Sequence, residues 1–160
     1  MSTAHQSLSA HDAHEMPNAG PYRFGIVVAE WNHAITEALA QGAISFLKEA
    51  GASDNNITRI DVPGSFELTA GASLLAHENY DAIICLGCVI QGETKHFDFI
   101  CHSVSQGLTQ LTIKYNKPFI FGVLTPNTMQ QAEDRAGGKY GNKGVEAAAT
   151  ALKMAALFKK

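Results

Sequence analysis

The chain is 160 residues long, 46% apolar and 17% charged, with a net charge of -3. This is the make-up of one globular domain able to bury roughly 68–70% of its unfolded surface. A weakly negative balance, no basic run among aromatics and no apolar run near the ~20 residues of a membrane span exclude nucleic-acid and membrane roles.

The start, Met1-Ser2-Thr3-Ala4-His5, lacks the basic and apolar stretches of a signal peptide. Cys85, Cys88 and Cys101 lie in apolar segments without metal-ligand spacing, so reduced thiols and a cytoplasmic location are expected. Residues 1–21 carry few large apolar side chains and end in Pro17-Asn18-Ala19-Gly20-Pro21. They read as a disordered tail ahead of a single domain over 22–160. His5, His11 and His14 of that tail read as solvated rather than metal-binding.

Strands and helices alternate from there. Residues 24–29 form a short apolar strand, and Ile35, Leu39, Ala43, Phe46 and Leu47 mark a helix that Gly51 can cap. Residues 57–62 alternate apolar and polar, as a strand near the sheet edge does. A small-residue helix is expected over 67–77. Residues 81–86 are apolar throughout, which suits a central parallel strand. Phe97, Ile100, Cys101, Val104, Leu108 and Leu111 then make one helical stripe. A fourth strand over 119–124, a short helix over 129–136, a Gly/Lys loop and a final helix over 145–158 complete the chain. In that last helix Val145, Ala148, Ala149, Leu152 and Ala156 form one apolar stripe, and Ala147, Ala151, Met154 and Phe158 a second. The sheet can cover one of them. The order implies an α/β fold: a three-layer α/β/α sandwich with a four-stranded parallel sheet, helices on both faces and right-handed crossovers.

Four loops then follow the C-terminal ends of the strands, where ligands bind in open α/β sheets. They hold Trp31-Asn32, Pro63-Gly64-Ser65-Phe66-Glu67, the run from Gly87 to His96, and Thr125-Pro126-Asn127-Thr128. Trp31 and Phe66 can wall a flat heterocycle. Glu67 and Ser65 taken alone are ordinary first-turn and N-cap residues. His96 opens a helix, where the dipole opposes a cation, and an imidazole exchanging its proton near neutral pH suits acid–base work. His33, His77 and His102 read as helix-surface or packing residues. Three cations and four glycines lie between Arg135 and Gly144. Lys143, at the start of the last helix, calls for a compensating anion. Neither glycine segment matches a nucleotide-binding fingerprint.

Together these segments resemble the lumazine synthase family. The matching pieces are Trp31-Asn32, Pro63-Gly64-Ser65-Phe66-Glu67, the run Gly87-Cys88-Val89-Ile90-Gln91-Gly92-Glu93-Thr94-Lys95-His96-Phe97-Asp98, Ile120-Phe121-Gly122, Glu133-Asp134-Arg135-Ala136-Gly137 and Gly141-Asn142-Lys143-Gly144. The resemblance implies a flavodoxin-like layering and a transferase of riboflavin biosynthesis. Such an enzyme condenses a dihydroxybutanone phosphate with an amino-ribitylamino-pyrimidinedione, without cofactor or metal. By position it implies His96 for proton transfer and Glu93, Thr94 and Arg135 for the phosphate. Trp31, Asn32, Ser65, Phe66, Glu67, the backbone of Cys88, Val89 and Ile90, Phe121 and Lys143 would hold the pyrimidine and ribityl chain. It further implies pentamers with shared sites and, from the short 137–144 connection, sixty-subunit shells that can associate with riboflavin synthase. A flavin- or lumazine-binding module and a purely structural shell subunit are the rival readings. Gln91 and Lys95 depart from the commoner family residues, as does Trp31 from phenylalanine.

Overall fold

A computed structural model describes residues 16–159. Positions 1–15 of the expected tail, with His5, His11 and His14, lie outside them. The central sheet has four parallel strands in the order β2-β1-β3-β4. These are β1 (Phe24–Ala29), β2 (Ile57–Val62), β3 (Ala82–Cys88) and β4 (Phe119–Leu124). Burial follows this order. The central β1 and β3 are buried at every position, whereas edge strand β2 is mostly half-exposed, as its alternating sequence predicts.

Helices cover both faces. Helices α1 (His33–Glu49) and α5 (Lys143–Phe158) pack together over one face of the sheet. Phe24, Ile26, Val28, Ile84 and Leu86 point into that layer. On the other face α2 (Leu68–Ala76) and α3 (His96–Tyr115) meet Val27, Ile83, Cys85, Phe119 and Val123. Successive strand residues thus feed opposite layers, which is why β1 and β3 are apolar without interruption. The fold is the three-layer, flavodoxin-like α/β architecture expected. Gly51 ends α1 at φ 107°, a left-handed cap open to glycine at no steric cost.

Four details differ from the sequence expectation. Residues 16–21 are packed: Ala19 is fully buried, its N–H donates to Ala50 O at 2.8 Å, and Asn56 Nδ2 donates to Gly20 O at 3.1 Å. Small residues buried by tertiary contact leave no periodic signal. Helix α4 (Met129–Glu133) is shorter than 129–136. The Gly/Lys loop is an antiparallel hairpin of β5 (Ala136–Gly138) and β6 (Gly141–Asn142). The covered face of α5 draws on both expected stripes and adds Ala155: Ala147, Ala148, Ala151, Leu152 and Ala155 are buried, whereas Val145, Ala149, Met154 and Ala156 are only partly so and Leu157 and Phe158 are exposed. Because α1 lies beside α5 as well as the sheet beneath it, the buried face is wider than either stripe. Among the described residues no helix is long and apolar enough to cross a membrane.

Candidate active site

The C-terminal ends of β1, β2 and β3 open into a cavity of about 680 Å³. It is lined by Trp31, Pro63, Gly64, Ser65, Phe66, Glu67, Cys88, Val89, Ile90, His96, Phe99 and Ile100. Each loop reaches it because parallel strands all point their C-termini to one edge. A row of backbone hydrogen bonds ties the loops together. Glu30 N–H donates to Val62 O (2.8 Å), Trp31 N–H to Pro63 O (3.2 Å), Val89 N–H to Leu124 O (2.8 Å) and Gln91 N–H to Pro126 O (2.9 Å).

The walls are aromatic. Trp31 is 72% exposed, Phe66 55% and Phe99 72%. Large rings left this open mark a binding surface rather than a core. Ser65 differs: it is buried, and its Oγ has no hydrogen-bond partner within the protein. It is not the N-cap its residue type suggested. It sits in a short 3-10 turn (Ser65–Glu67) with no side-chain cap bond, ahead of α2. Leaving a buried hydroxyl unmet costs about 1–3 kcal/mol. Gly87 makes room for it: a Cβ there would lie 2.7 Å from Ser65 Oγ.

His96 is the first residue of α3, exposed, with its N–H directed at Thr94 Oγ1 over 3.4 Å. Glu93 and Thr94 lie in the same exposed loop, beside the cavity but not on its wall. The thiols do not compete for chemistry. Burial pushes Cys88 up to about 11 and Cys85 higher, and burial with the Asp98 charge raises Cys101. Raised thiols stay protonated and weakly nucleophilic at neutral pH.

Of the expected site residues, Trp31, Ser65, Phe66, Glu67, Cys88, Val89, Ile90 and His96 converge on the cavity. Asn32 stands behind it, its side-chain amide donating to Cys88 O at 3.0 Å. Phe121, Arg135 and Lys143 do not line it. Phe121 is partly exposed on edge strand β4. Arg135 donates to Gln131 O at 3.0 Å, with its guanidinium 4.9 Å from the Tyr140 ring centre. Lys143 Nζ lies 2.6 Å from Glu146 Oε1, both side chains largely buried. Glu146 is the compensating anion that the position of Lys143 called for. Phe99 and Ile100 were not expected at the site. Their signal was helical spacing, three and four residues after His96 on one face.

The remaining described histidines lie elsewhere. His33 borders a second, smaller hollow beside Arg59, where Arg59 is held by Glu37 (2.7 Å) and Asp61 (2.8 Å). These contacts lower the Glu37 carboxyl and raise Arg59. His77 pairs with the Tyr115 hydroxyl at 3.1 Å, and His102 lies exposed on α3.

A family model described as 6,7-dimethyl-8-ribityllumazine synthase matches residues 21–159. The chain is 59% identical to a protein of that name from Cytophaga hutchinsonii, with 98% of each chain covered. It is 56% identical to one from Parabacteroides distasonis, covering 96% of this chain and 97% of that one. A third, from Porphyromonas gingivalis, is 56% identical over 98% of each. An aromatic-walled cavity at the strand ends, with His96 at its rim, and similarity over the whole domain agree: the chain belongs to the 6,7-dimethyl-8-ribityllumazine synthase family.

Proposed function

We propose that the chain condenses 5-amino-6-(D-ribitylamino)uracil with 3,4-dihydroxy-2-butanone 4-phosphate to 6,7-dimethyl-8-ribityllumazine, releasing phosphate and water. It is a transferase of riboflavin biosynthesis. The observation that carries the reading is the cavity, where two aromatic faces, an unpaired buried hydroxyl and a rim imidazole meet. Trp31 and Phe66 offer faces to the flat pyrimidine, and the backbone of Cys88, Val89 and Ile90 offers donors and acceptors to its edge. Ser65 and Glu67 suit the hydroxyls of the ribityl chain. The pyrimidine amine attacks the ketone and water leaves to give an imine. Loss of the neighbouring C–H proton expels phosphate and leaves an enol that becomes a methyl ketone. The ribityl-bearing nitrogen then attacks that ketone and closes the ring with loss of a second water. Each step moves protons, and His96 is the group at the rim suited to carry them.

Glu93, Thr94 and Arg135 are assigned to the phosphate, an anion that favours a hydroxyl, a helix N-terminus and a guanidinium. Arg135, Phe121 and Lys143 do not line the cavity of their own subunit, which supports their completing a neighbour's site. Exposed Leu74, Phe99 and Ile113 add apolar surface for that contact. The assembly is read as a cytoplasmic pentamer, built further into a sixty-subunit shell and able to associate with riboflavin synthase. Mixing the two substrates with the protein tests the reaction. Lumazine absorbance and phosphate release above the uncatalysed rate are expected; rates equal to the protein-free control reject it.

A further inference from the structure

Asn32 occupies the turn between β1 and α1 in the left-handed region, at φ 61° and ψ 45°. Side chains are disfavoured there, Asn and Asp least. It is also the N-cap of α1, where an Asn oxygen ordinarily accepts a backbone N–H of the first turn. Asn32 makes no such side-chain bond. Its backbone carbonyl alone accepts from Ile35 N–H (2.9 Å) and Thr36 N–H (3.1 Å), leaving the amide to reach across the sheet to Cys88 O (3.0 Å).

That bond lies where the ladder ends. The β1–β3 register runs from Phe24↔Ala82 to Val28↔Leu86. Beyond it β1 turns away toward Trp31, and the Asn32 amide takes over as the next rung. The preceding residue is anchored on the opposite side, through Trp31 N–H to Pro63 O at 3.2 Å. Trp31 is therefore fastened to the β2 loop by its own backbone and to the β3 loop through Asn32.

We propose that Asn32 is a positioning residue, setting the distance between the Trp31 ring and the Cys88–Ile90 backbone, the two surfaces between which the pyrimidine is held. The inference rests on the function proposed above and deepens it. Asn32 acts through Trp31 and Cys88 and need not touch the substrate. Its backbone conformation and its amide serve one purpose: the left-handed turn aims the amide away from its own helix.

Trp31 is the chain's single tryptophan, so its fluorescence reports this turn without labelling. Asn32→Gly keeps the left-handed backbone and removes the amide, whereas Asn32→Asp keeps the shape and sets a carboxylate against the Cys88 carbonyl. Losing a neutral, partly buried hydrogen bond is expected to raise KM for the pyrimidine about 3- to 10-fold in Asn32→Gly, with kcat and the butanone phosphate KM changed less than about 2-fold. Asn32→Asp should be affected at least as much. In both ligand-free variants Trp31 anisotropy should fall. An unchanged pyrimidine KM with unchanged anisotropy in Asn32→Gly overturns the proposal, as does an equal rise in both KM values together with a loss of kcat. Anisotropy is read without substrate, and wild-type lumazine formation without any variant. A failure of the proposed reaction is therefore distinguishable from a failure of this inference.

Discussion

The strand-end loops of β1–β3 and the β5–β6 hairpin leading into α5 carry the two groups of candidate site residues, and they are built in opposite ways. The loops leave their functional atoms free: Trp31 and Phe66 stand open, and Ser65 Oγ has no partner. In the hairpin region the cations are already engaged, Arg135 over Tyr140 and Lys143 with Glu146. The first arrangement is a ligand cavity within one subunit. The second holds charges in place on a surface that does not line that cavity. If the hairpin side serves a neighbour's site, as proposed, these contacts hold its charges in place before any ligand arrives.

The largest effect that can break the comparison is separation of the subunits. If the hairpin side completes a neighbour's cavity, a subunit of 17.1 kDa held apart from its copies should be inactive. Sedimentation with an activity assay across the same fractions checks it, and turnover in the monomer fraction removes the shared site. Next comes the loop side. His96→Ala should slow turnover by roughly 10²–10⁴-fold, the range for one acid–base group. Uncatalysed reaction sets a floor, and a folded variant with wild-type turnover would dismiss His96 as the proton carrier.

Arg135→Gln should cost less, about 10- to 150-fold, corresponding to a lost charge-assisted bond. The loss should fall on the butanone phosphate. Equal weakening toward both substrates, measured as separate KM values, would make Arg135 a support of the hairpin alone. The smallest expected effect concerns the thiol behind the cavity. Folding raises Cys88 from an ordinary 9.0 to about 11 by burial. The unfolded chain therefore releases this proton first, so the contribution is full below the unfolded value and is lost as pH rises through the folded one. Urea midpoints for wild type and Cys88→Ala should diverge in slope between about pH 9 and about pH 11, with the variant falling less steeply. Parallel curves would show that Cys88 does not govern alkaline stability.

Much of this was legible along the chain, for local reasons. An uninterrupted apolar run marked β3 as central, and alternation marked β2 as nearer an edge, because burial on two faces or one writes a different period; the central place of β1 came only with the sheet order. The convergence of Trp31, Ser65, Phe66 and Cys88–Ile90 followed from parallel topology, which sends every strand's C-terminus to one side. The four-residue helical step that puts His96 and Ile100 on one face of α3 was equally legible in the stripe of that helix.

Other features had no local trace, since they depend on residues distant in sequence. Ala19 is buried through a bond to Ala50, the covered face of α5 depends on α1 beside it, and Asn32 forgoes its own helix for Cys88. Periodicity records which positions meet an apolar neighbour within a few residues; it carries no information on which remote carbonyl a side-chain amide can reach. Element order and the contents of the strand-end loops therefore belong to the local sequence. Which polar atoms are paired, and which of them remain free to meet a ligand, is set where separate elements come together, because a buried donor or acceptor takes whatever partner the packing brings within about 3 Å.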